Sequence, residues 1–135
     1  MTNEFVKTYD LKQDNRKIVL IQKATLETKD SGLVPQPALF GSATWWRAIE
    51  NNVIPVHMIE GIISRVYMSG HNDYPEFEID DGREMTQWTR EGKDEAYVVG
   101  RQIKLIYVLQ TPKRFGGKDS HKVVLEIWMS ASDKK

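Results

Sequence analysis

From Met58 to Met129 the chain repeats one rhythm, a short apolar-rich stretch followed by a turn. Stretches at Val56–Met68, Glu76–Ile79, Arg83–Trp88, Gln102–Gln110 and Lys122–Met129 read as strands. Gly70, Asp81-Gly82, Gly92 and Gly116-Gly117 lie at or near the turns, where glycine and aspartate supply the backbone angles that a reversal needs. Strands this short and this evenly spaced specify a mainly β fold, and a small barrel is the simplest way to leave no open edge. Gly61 falls inside the first long strand and marks a bulge or a bend there.

The first 56 residues are less regular. Residues 1–16 read as an arm or a loose first strand. Lys17 to Leu26 reads as a further strand, with Ile18, Leu20, Ala24 and Leu26 on one side and Lys17, Lys23 and Thr25 on the other, Gln22 breaking the apolar face and Val19 and Ile21 the polar one. Lys29-Asp-Ser-Gly32 is turn chemistry, and Pro35 and Pro37 hold the next segment extended. Ser42 is placed to cap a short helix through Trp45, Trp46 and Ile49, which Asn51-Asn52 and Pro55 end. A chain of 135 residues fits one domain, here a strand-and-helix extension (1–56) on a barrel (57–130). With 40% hydrophobic residues it can fill a core.

Several motifs fall on this strand pattern: Gly61-Ile-Ile-Ser-Arg-Val66, Phe77-Glu-Ile-Asp-Asp-Gly82, Trp88 near the end of the third strand, and Tyr97-Val-Val-Gly100 before the fourth. In these residues the stretch 58–129 resembles the oligonucleotide/oligosaccharide-binding (OB) fold. The resemblance implies a five-stranded barrel that binds with its strand 2–3 face and two flanking loops, and the chain as a whole reads as an OB-like barrel of five or six strands. It also implies a helix between the third and fourth strands, for which only Thr89 to Val99 leaves room.

The residues exclude more chemistry than they suggest. The absence of cysteine removes disulfides and thiolate metal sites, and it suits the cytoplasm. The N-terminus lacks the apolar core of a signal peptide, and no apolar run approaches the roughly 20 residues that span a bilayer. His57, His71 and His121 show no ligand spacing, and no nucleophile motif is present. The expectation is therefore a non-catalytic binding module with no metal and no cofactor.

Two kinds of partner fit such a module. Single-stranded nucleic acid is held by aromatic rings under the bases and cations along the phosphates. Arg65, Tyr67, Trp88, Arg90 and Lys104 would serve, helped by Lys113 and Arg114 from the glycine-rich loop 111–122. The alternative is a protein partner. Residues 57–95 carry ten acidic and four basic side chains, a net of −6, within a chain whose overall charge is +0. Glu76, Glu78 and Asp80 alternate with Phe77 and Ile79, so one strand face is acidic. That face suits a small inhibitor or immunity-type protein that neutralises a basic target, and it opposes phosphate binding. Trp45-Trp46 is read chiefly as helix packing, with an interface anchor as the sharper alternative.

Overall fold

The computed structural model describes residues 4–28, 32–35, 38–68, 74–111 and 121–131. Its elements are β1 (Phe5–Asp10), α1 (Asn15–Glu27), α2 (Ala43–Glu50), β2 (Val56–Met68), β3 (Pro75–Asp80), β4 (Met85–Thr89), β5 (Gln102–Gln110) and β6 (His121–Ser130). Short 3-10 turns fall at Leu11–Gln13 and Asp94–Ala96. The six strands form one open sheet in the order β1-β6-β5-β2-β3-β4.

The mainly β expectation therefore holds, while the closed OB-type barrel gains no support. β1 and β4 are the two edges of the sheet, and no ladder joins them among the described residues. The connection after β4 runs beside β1 instead: a Cβ added to Gly92 would lie 3.2 Å from the Thr8 carbonyl oxygen and 3.7 Å from the Tyr9 ring. The helix implied between the third and fourth strands is reduced to the single turn Asp94–Ala96.

The largest correction concerns Lys17–Leu26, which is not a strand but most of α1. Asp14 accepts a hydrogen bond from the Lys17 backbone N–H at 3.2 Å and so satisfies a donor of the first turn. Ile18, Ile21, Gln22 and Thr25 then recur at helical spacing on the side that packs inward. Gln22 Nε2 donates to the Phe40 carbonyl at 2.8 Å, and Thr25 Oγ1 accepts from the Leu33 N–H at 3.0 Å. The second helix starts as expected: Ser42 Oγ accepts from the Trp45 N–H at 3.2 Å. It closes where both the Val53 and Ile54 N–H groups return to the Ala48 carbonyl and Asn52 takes a positive φ of 61°.

Contacts group the chain into two compact units. One comprises Met1–Tyr9, Met58–Leu105 and Glu126–Lys135, the other Asp10–His57 and Ile106–Leu125. In the first unit Ile63, Phe77, Ile79, Trp88, Tyr97, Ile103, Leu105, Ile127 and Met129 are buried, with the Phe77 and Tyr97 rings 4.7 Å apart. In the second, Leu11, Leu33, Phe40, Trp45, Ile54, Val108 and Val124 are buried, and Phe40 lies 4.7 Å from Trp45. β5 shows the change of unit in its own pattern. It buries Ile103 and Leu105, then Val108 and Gln110, so its alternation shifts phase at Ile106–Tyr107.

Candidate functional site: the outward face of β2, β3 and β4

Phe77 and Ile79 are fully buried, which turns the alternate residues of β3 outward. Register then fixes their neighbours. Glu76 stands between Tyr67 of β2 and Thr89 of β4, and Glu78 between Arg65 and Gln87. Asp80 stands between Ile62 and Met85, both half-exposed apolar side chains. The result is three carboxylates in a row, with one aromatic ring, one guanidinium and an apolar end.

Two local devices shape this face. The β2–β3 register shifts between Ile63 and Arg65, and the extra residue, Ser64, aims its hydroxyl at β3. Ser64 Oγ donates to Glu78 Oε1 at 3.0 Å while Gln87 Nε2 donates to Glu78 Oε2 at 2.8 Å. Each oxygen of Glu78 is thus held by a neighbouring strand. Gly61 is the second device. A Cβ there would sit 2.4 Å from the Asp80 carbonyl oxygen and 2.8 Å from Ile79 Cγ2, so only glycine lets β2 and β3 approach this closely.

The rest of the row is also ordered. The Arg65 guanidinium lies 4.0 Å from the centre of the Tyr67 ring. Partial burial first, then its hydrogen bond to Glu76, raises the Tyr67 hydroxyl above its ordinary pKa of 10.0. In the turn that follows, Asp81 Oδ1 accepts from the N–H groups of Arg83 at 2.8 Å and Glu84 at 3.0 Å. Those backbone donors, Glu84 first, hold its carboxyl below the usual range. Beside this face, Gly61 and Ile62 also line, with Phe5, Glu60, Gln102 and Ile103, an open concavity of about 330 Å³.

The residues singled out for nucleic acid do not converge. Arg65 and Tyr67 belong to the face just described. Trp88 is only 5% exposed and donates its indole N–H to Thr86 Oγ1 at 2.7 Å, so neither ring face is open to a base. Arg90 turns back on its own unit, giving Nη2 to the Tyr67 carbonyl at 3.0 Å and placing Nη1 3.9 Å from Asp94. Lys104 lies 3.6 Å from Glu60 and 4.5 Å from the Phe5 ring centre. Lys113 and Arg114 lie outside the described residues, as do His71 and most of the loop 111–122. A row of carboxylates with two of the proposed cations already paired gives nucleic acid no support.

The sequence reading missed Ile62, Ser64, Met85 and Gln87, because only the pairing register brings them beside the acids. Among the described residues no group of histidine and carboxylate side chains could hold a metal ion. No described helix is long and apolar enough to cross a membrane.

What remains is a face that offers carboxylates, one ring, one guanidinium and a few apolar side chains, and no reactive group. No curated protein matches the chain. Residues 4–130, which take in every strand and both helices, match the family described as Immunity protein RhsI2, and the chain belongs to that family.

Proposed function

We propose that the chain protects its own cell by binding a toxin protein and holding it inactive, and that it does so with the outward face of β2, β3 and β4. The observation that carries the reading is the family match over residues 4–130. The face adds the chemistry. Glu76, Glu78 and Asp80 point the same way, and the Ser64 and Gln87 bonds fix Glu78 before any partner arrives. A carboxylate held in advance loses less side-chain freedom on binding than a free one. Ile62 and Met85 supply the apolar contact that charge alone does not provide. The implied target surface is basic, so opposite charges steer the encounter as well as stabilise the complex.

Co-expression with candidate toxin proteins of the same cell tests both parts. The wild-type chain should restore growth and bind the purified toxin. The triple variant Glu76→Lys, Glu78→Lys, Asp80→Lys should bind at least about tenfold more weakly, because like charges opposed across an interface cost several kcal/mol. Absence of protection by the wild-type chain would remove the immunity reading. Full protection by the triple variant would remove only the assignment of the face.

A further inference from the structure

The face of α1 that points away from its own unit is not a usual solvated surface. Arg16, Val19, Leu20, Lys23, Leu26 and Glu27 are all exposed, and the three apolar members are 57%, 60% and 71% exposed. On the opposite side the helix is anchored through Gln22 and Thr25, so this stripe cannot turn inward. Arg16, Leu20, Lys23 and Glu27 follow a 4-3-4 spacing, the spacing of a seam along which two helices pack, with Val19 and Leu26 flanking it.

The charges on the seam name the occupant. Its N-terminal end is basic and its C-terminal end acidic, and neither Arg16 nor Glu27 has an ion-pair partner among the described residues. Two copies laid antiparallel, with the two-fold axis between Ile21 and Gln22, bring Arg16 of each opposite Glu27 of the other. Leu20 of each then lies level with Lys23 of the other, whose methylene stem covers it while the ammonium reaches water. A patch that complements itself under a two-fold rotation is what an isologous dimer requires. We infer that α1 is a homodimer interface, a second copy of this chain covering the Val19–Leu20–Leu26 stripe in solution. This inference does not depend on the toxin-binding reading, which uses other residues.

A helix of 13 residues is about 20 Å long, so the contact is smaller than a standard interface and the association weak. Sedimentation equilibrium of the purified chain, from roughly 10 to 500 µM, should show a mass rising from 15.6 kDa toward twice that value. Leu20→Glu keeps helix propensity and should lower the association constant at least tenfold. Arg16→Glu should weaken association, and the swapped pair Arg16→Glu with Glu27→Arg should restore it to within about twofold of the wild type. A constant 15.6 kDa at every concentration overturns the inference. So does a dimer indifferent to Leu20→Glu. Failure of the swapped pair to restore association overturns the antiparallel register. A chain that stays monomeric while Leu20→Glu abolishes toxin protection assigns the stripe to the toxin instead and likewise overturns it.

Discussion

Trp45 and Gln110 form a polar pair in an otherwise apolar setting, and a double-mutant cycle on them tests how the second unit is held. Trp45 is fully buried and donates its indole N–H to Gln110 Oε1 at 3.0 Å; Gln110 is 7% exposed. Trp45→Phe keeps an aromatic ring beside Phe40 but removes the donor and leaves Gln110 Oε1 buried without it. The stranded acceptor costs about 1–3 kcal/mol. The smaller ring leaves a void of a few tens of Å³, which adds about 1 kcal/mol at roughly 24 cal/mol per Å³. The single variant should therefore lose about 2–4 kcal/mol. Gln110→Leu strands the indole N–H and should lose about 1–3 kcal/mol by the same reasoning. In the double variant neither polar group remains to be stranded, and its loss should fall short of the sum of the singles by about 2 kcal/mol. Urea unfolding followed by far-ultraviolet circular dichroism measures this without relying on the tryptophan signal. At a slope of about 1–3 kcal/mol per molar urea a difference of about 2 kcal/mol moves the midpoint by more than half a molar. Single-variant losses that add to within about 0.5 kcal/mol would refute the pairing as an energetic unit.

Two further outcomes concern the first unit. Gly61→Ala should destabilise the fold by about 1–3 kcal/mol, because the colliding atom is the Asp80 backbone oxygen and backbone cannot step aside as a side-chain tip can; an unchanged melting midpoint would show that β2 and β3 separate freely there. Burial, above all, raises the pKa of the Tyr97 hydroxyl, which donates to the Glu91 carbonyl at 2.6 Å. The group stays protonated in the folded chain after it has begun to ionise in the unfolded one, so its stabilisation is complete below about pH 10 and is lost as pH rises beyond that. Unfolding midpoints between pH 8 and 11 should fall more steeply for the wild-type chain than for Tyr97→Phe, and equal slopes would contradict the assignment.

The parts of the fold that were legible in the sequence are those where one local signal stands alone. β2 and β5 occupy the stretches that their apolar patterns and bounding turns mark, and Ser42 caps α2 as its side chain allows. α1 was illegible because its exposed side is apolar. Val19, Leu20 and Leu26 fill the positions where a helix ordinarily shows charge, and they blur the period of the inward-facing residues. Asp14, one residue before the helix, was the signal that could have decided the matter. The same exposed residues that hid the helix are those that the proposed dimer would cover.

The proposed binding face divides along similar lines. Alternation within β3 was enough to place Glu76, Glu78 and Asp80 on one side, since parity along a strand is a local property. What stands beside them is not local. Ser64 reaches Glu78 only because a register shift turns it there, and Met85 meets Asp80 only through the β3–β4 pairing. Trp88 shows the converse limit. Its position near a strand end suited a stacking platform, yet its indole N–H found Thr86 two residues away and its ring went into the core. An aromatic side chain in a small β domain is claimed first by the core, whose need for large apolar volume is general, and only the remainder is left for ligands. Carboxylates are under no such claim. An outward row of them, with Glu78 held by hydrogen bonds from both neighbouring strands, is what the proposed binding surface rests on, rather than any of the rings.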